Sequence, residues 1–151
     1  MKKKIYNHFL KQKKKFEFII QTYPNTDYAT DARFKIDLIT DQLAAKEMSI
    51  ARFYMKTKKW IPALNRLKTV VDKYEKTVFV EEALHRLVEV YYRLGLTDEA
   101  KKAAGILGYN YQSGEWYKKS YQVFNKNYKP KKISDKKSMG LIRKKIKSLF
   151  E

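Results

Sequence analysis

Cysteine is absent from all 151 residues, which excludes disulfides, thiolate metal sites and a lipid-modified cysteine within this sequence. Only five Gly and three Pro occur, so turn formers are scarce and long helices are expected. No run of eighteen apolar residues exists, so no segment reads as a membrane-spanning helix. The opening stretch MKKKIYNHFLKQKKKF is charged but has neither an apolar core nor a small-residue cleavage site, and so does not read as a secretory signal. The two histidines, His8 and His85, have no Cys or acidic set at metal-ligand spacing. There is no Gly-rich phosphate loop and no nucleophile motif. The expectation is a protein with no catalytic, cofactor or metal residues, no small-molecule substrate and no enzymatic activity.

What is present in excess is positive charge, +18 in all. It is unevenly spread. Residues 1–15 hold seven Lys and no acid, and residues 126–151 hold ten Lys or Arg against Asp135 and Glu151. Residues 16–125 carry seventeen basic and fourteen acidic residues, close to balance. A nucleic-acid reading is therefore confined to the ends. Most of the basic residues are Lys, alongside many Ile, Asn and Tyr, a bias that AT-rich coding alone favours.

Apolar spacing defines the middle. Trp60, Ala63, Leu64, Leu67, Val70, Val71 and Tyr74 step by threes and fours, as do Val80, Ala83, Leu84, Leu87, Val88, Tyr91 and Leu94. Each set is one buried helix face. Gly95 follows where a helix end takes a left-handed residue, and Thr97 with Asp98 and Glu99 reads as an N-cap with acids in the first turn. Gly95–Leu96 is thus the expected turn of a hairpin whose second helix ends near Leu107. Upstream, Pro24 closes one helix and Thr26 or Asp27 caps another running from about Tyr28 to Thr57. KTKK (56–59) is the next turn, 109–114 a loop, and 115–126 a last helix.

Two hairpins align with each other. Ala51, Tyr54 and Ala63 correspond to Val88, Tyr91 and Ala100, each pair offset by 37 residues. The pattern resembles the tetratricopeptide repeat, which needs small side chains where its two helices cross. Ala100 is expected at that crossing, with Ala103 and Ala104 extending the close-packed surface, while Gly95 lets the chain reverse. The expected fold is all-α, tetratricopeptide hairpins stacked as a short solenoid. Its divisions are a basic N-terminal extension (1–15), a repeat domain (16–125) and a basic tail (127–151) with a short amphipathic helix. The repeat domain comprises a partial repeat at 16–25, repeats at about 28–77 and 78–108, and the capping helix 115–126.

The segments YPNTDYATDARFKIDLITDQLAAKEMSIARFY, ALNRLKTVVDKY, VEEALHRLVEVYYRLGLTDEA and LGYNYQSGEWYKKSY resemble, in order, the C-terminal half of the BamD family. These are tetratricopeptide lipoproteins of the machinery that assembles β-barrels into the Gram-negative outer membrane. The similarity is nearest to alphaproteobacterial forms and covers roughly residues 16–124. It implies a periplasmic scaffold at the outer membrane whose C-terminal repeats dock on POTRA domains of a BamA-like subunit, beside other assembly-complex subunits. The family's Asn-Arg pair matches Asn65-Arg66, and the resemblance implies that Arg66 pairs with an acid on the POTRA partner. Leu64 and Leu67 turned to the core leave Arg66 to project, and a guanidinium can grip a carboxylate by two hydrogen bonds. Lys68 and Lys73 add a weaker rim attraction. The family's signal peptide, lipidated Cys and first repeats find no match, so the expected origins are a split or decayed gene, a paralogue or an isolated domain, the first or the last foremost.

Trp116 and Tyr117 follow Gly114 and can anchor either the fold or a partner; Tyr54 and Tyr91 fall on core faces. The tail reads first as a solvated end, second as an amphipathic helix on anionic lipid. A nucleic-acid contact ranks last, since base stacking wants more aromatics than Tyr128 and Phe150. The competing class is therefore a basic binding module working through the two Lys-rich ends.

Overall fold

Stretches free of turn formers become helices, and the places where Pro, Gly or consecutive Lys intervene become the breaks between them. The computed structural model describes residues 2–111 and 114–126. In chain order the helices are α1 (Lys2–Thr22), α2 (Asp27–Lys56), α3 (Trp60–Lys73), α4 (Val80–Arg93), α5 (Thr97–Asn110) and α6 (Glu115–Phe124), and no strand occurs among the described residues. From α1 to α5 each helix packs on the next, and α6 packs on both α4 and α5. A row of helical hairpins, each burying its apolar face on its neighbours, is a tetratricopeptide-like all-α solenoid.

The longest helix, α2, has 30 residues and so runs for about 45 Å. Thr26 starts it, its Oγ1 accepting the Ala29 N–H at 3.3 Å, which satisfies one otherwise orphaned donor. Its buried face carries Ile39, Leu43, Ala44, Met48 and Ala51. The first half of that face meets α1 and the second half meets α3.

The 37-residue offset reappears in the backbone. At the end of α4, Gly95 has φ +77° and the Leu96 N–H bonds the Tyr91 carbonyl at 2.9 Å. At the end of α2, Lys58 has φ +58° and the Lys59 N–H bonds the Tyr54 carbonyl at 2.8 Å. Both are left-handed helix terminations of the same kind. A Cβ built at Gly95 would meet nothing within 4 Å, so glycine serves the dihedral there, not the space. Lys58 makes the same turn with a side chain attached, at a cost of about 1–2 kcal/mol.

Ala51, Ala63, Val88 and Ala100 are all fully buried in one core cluster with Met48, Leu67, Val70 and Tyr91. Tyr54 and Leu64 pack on its margin. Ala103 and Ala104 belong to the same cluster.

Several boundaries differ from the sequence reading. The division at residue 15 falls inside α1, because Tyr6, Phe9 and Phe16 pack against Ile39, Leu43, Ala44 and Tyr74. The lysines between those aromatics hid a helical spacing. Thr97 is the first residue of α5 rather than its N-cap. Leu96 holds the cap position without a side-chain hydrogen bond. Helix α5 continues three residues past Leu107, and α6 stops at Phe124 with Asn125 as its C-cap. The expected amphipathic helix of the tail lies outside the described residues.

Candidate functional site

The outward face of α3 follows from its buried one. With Ala63, Leu67 and Val70 turned inward, helical periodicity puts Ile61, Asn65 and Thr69 along the opposite side. Arg66 and Lys73 then fall on the edge towards α2, and Lys68 beside Ile61 on the outer side. Tyr54 from α2 joins Ile61, Pro62, Asn65, Arg66 and Thr69 around an open groove of about 260 Å³. Ile61 is an exposed large apolar side chain in its wall, and Phe53, also exposed, lies against the Tyr54 ring. The Thr69 hydroxyl is occupied, donating to the Asn65 carbonyl at 3.0 Å.

Arg66 projects as its helical position requires, with 44% of its side chain exposed. It is not unconstrained, however. Its Nη1 donates to Oε2 of Glu47 at 3.0 Å across the α2–α3 pair. Glu47 is 5% exposed and occupies a slot of α2 between Ala44 and Ala51 where the buried face would take an apolar residue. Sequence reasoning missed it, although an acid at a core position three and four residues from buried Ala44 and Ala51 was a visible signal.

A second cluster ties α2, α4 and α6 together. Arg52 grips Glu82 with both Nε and Nη2, and Arg86 donates to Glu82 and, at 2.8 Å, to Glu89. Burial works to raise the Glu82 pKa, but the bonds and charges of Arg52 and Arg86 outweigh it and hold the carboxyl below its ordinary range. The hydrogen bonds that Arg52 donates to Glu82 correspondingly raise the Arg52 pKa, against a smaller opposing effect of burial. His85 is buried, and its Nδ1 lies 2.9 Å from Ser120 Oγ. Because the Ser120 proton goes to the Trp116 carbonyl, Nδ1 is the donor in that bond. Burial, foremost, pushes the His85 pKa down, so the ring is neutral near pH 7. With its hydroxyl spent on a backbone carbonyl and its residue fully buried, Ser120 is no nucleophile.

Trp116 lies in this second cluster, away from the α3 groove. Its ring sits 5.2 Å from that of His85, with the Lys119 Nζ 4.5 Å from its centroid and the Arg86 guanidinium at 5.6 Å. Tyr117 meets Tyr121 edge-on and lies against Gly108, where a Cβ would come within 3.0 Å of its ring. Both aromatics thus fasten α6 to α4 and α5. Asn65 and Arg66 stand together at the groove, with Lys68 and Lys73 exposed elsewhere on α3.

Residues 1–106 match the model of a family described as "Outer membrane lipoprotein" (YfiO). The chain is 52% identical over 116 residues to the outer membrane protein assembly factor BamD of Rickettsia prowazekii, a match covering 77% of this chain and 46% of that protein. It is 48% identical over 109 residues to BamD of Caulobacter vibrioides, covering 72% and 36%. Against BamD of Neisseria meningitidis the identity is 34% over 107 residues, covering 71% and 40%. The chain therefore spans less than half the length of these relatives.

Proposed function

The chain belongs to the BamD (YfiO) family of outer membrane assembly factors, and from that premise we propose that it is a non-catalytic docking module of β-barrel assembly. Its partner in this reading is a POTRA domain of a BamA-like subunit, engaged at the periplasmic face of the outer membrane. The observation that carries the proposal is the α3 groove: a half-exposed guanidinium at Arg66 beside an open cleft walled by Tyr54, Ile61 and Pro62. A partner carboxylate would take the guanidinium, and an apolar side chain next to it would enter the cleft. Asn65 supplies polar contacts at the rim. Lys68 and Lys73 would act on encounter more than on affinity, since exposed pairs contribute at most about 1 kcal/mol.

The test is site-specific photo-crosslinking in the assembled complex. A crosslinker at Ile61 or Asn65 should capture the POTRA partner, whereas one at Tyr109, exposed on α5, should not. Capture from Tyr109 with none from α3 would overturn the reading.

A further inference from the structure

Resting on that docking reading, we propose that Glu47 is a positioning residue, a buried carboxylate that aims the Arg66 guanidinium at an acidic side chain of the partner. Glu47 and Arg66 form an ion pair anchored at one end and open at the other: the carboxylate side chain is 7% exposed, the guanidinium side chain 44%. A guanidinium carries five N–H donors in a flat fork. One of them is committed to Glu47 at 3.0 Å, and the fork can hold a second carboxylate on its solvent side without releasing the first.

Bridging is favoured over exchange by the burial of Glu47. A partner that pulled Arg66 away would strand a nearly enclosed carboxylate without its cation, which is strongly unfavourable. A partner that bonds the outer edge strands nothing and meets a side chain whose long, flexible stem is already fixed. Arg66 thus arrives with its rotamer freedom spent before the encounter. Fixing one such side chain in advance corresponds to about three- to tenfold in affinity. The slot also specifies its occupant, since Lys offers three freely rotating donors in place of the rigid planar fork that fixes the direction of a second, bidentate bond.

The test is a double-mutant cycle by calorimetric titration of the full chain with the POTRA domain, using Glu47→Gln, Arg66→Gln and the double variant. Far-UV dichroism and melting establish folding, and Glu47→Asp, whose carboxylate retreats by one methylene, replaces Glu47→Gln should the latter not fold. The proposal expects Glu47→Gln to weaken binding about three- to tenfold in the parent chain, and less than about twofold when Arg66→Gln is already present. It also expects the Arg66 guanidinium N–H resonances to be dispersed in the free parent chain and averaged in Glu47→Gln, a change that mere loss of stability would not produce. Unchanged or tighter binding by Glu47→Gln, with Arg66→Gln weakened, overturns the positioning role and leaves docking at Arg66 intact. Full-strength binding by Arg66→Gln overturns both.

Discussion

At the scale of single residues, the repeat is written in the backbone more clearly than in side chains. Lys58 stands where the equivalent hairpin has Gly95, and both have positive φ. Replacing Lys58 by Gly removes a left-handed Cβ, so Lys58→Gly should stabilise the chain by about 1 kcal/mol, read as a rise of a few degrees in the melting temperature. A melt that falls would show that the Lys58 side chain is held by something stronger than the turn. Ser120 offers the opposite case. Ser120→Ala leaves the His85 Nδ1–H buried without its acceptor and should lower stability by about 1–3 kcal/mol in denaturant titration. Gly95 was legible in the sequence because glycine announces its dihedral. Lys58 was not, since nothing in a lysine signals φ above zero. Glu47 was hidden by the reverse habit, an acid in a core slot passing for one more surface charge.

Among the elements, the largest difference concerns α1. Charge counting made residues 1–15 an appendage, yet Tyr6, Phe9 and Phe16 cover Ile39, Leu43, Ala44 and Tyr74. Seven lysines set the composition of that stretch, whereas three aromatics at helical spacing decide its structure. Deleting residues 2–22 should therefore expose the α2 face and cause loss of soluble, cooperatively melting protein; an unchanged melt would return α1 to the status of an extension. Helices α2 to α5 were read nearly to their ends because apolar spacing dominates them. The N-terminus of α5 was misjudged by one residue, since Thr97 could serve as a cap and the chain simply uses Leu96 without one. The Arg52–Glu82 tie joins α2 to α4 and carries an acid signature. Glu82 has a folded pKa below its unfolded one, so its contribution is fully present above the ordinary carboxylate pKa of about 4.3 and is lost as pH falls through the lower folded value. His85, also depressed, adds a loss beginning nearer pH 6.5 as the unfolded chain takes up a proton that the folded chain resists. Arg52→Gln should flatten the decline of stability below about pH 4.5, seen in melting temperatures across the acid range, while leaving the histidine portion unchanged.

At the scale of the whole molecule, the helices form a row of hairpins whose α3 groove is the surface proposed for docking. The solenoid was legible because a 37-residue offset repeats small residues at two helix crossings. The proposed interface at Asn65-Arg66 comes from family resemblance, and the Glu47 contact behind it emerged only when α2 and α3 were seen side by side. Trp116 and Tyr117, candidates for the partner or the fold from sequence, both pack within the fold, Trp116 in the second cluster and Tyr117 against Gly108 and Tyr121, where α6 closes the row against α4 and α5. In the proposed docking, the excess positive charge at the two ends plays little part beside one guanidinium and an adjoining cleft. That distinction sets the decisive experiment. Arg66→Gln is the cleaner variant for it, since it removes the charge without setting two carboxylates against each other, as Arg66→Glu would. The measurement is calorimetric titration of the folded chain with the POTRA domain of its own organism, beside Arg66→Gln. The account predicts binding at about micromolar Kd or tighter, weakened about tenfold or more by Arg66→Gln. Absence of binding by a chain with a full helical signal and a cooperative melt would contradict it.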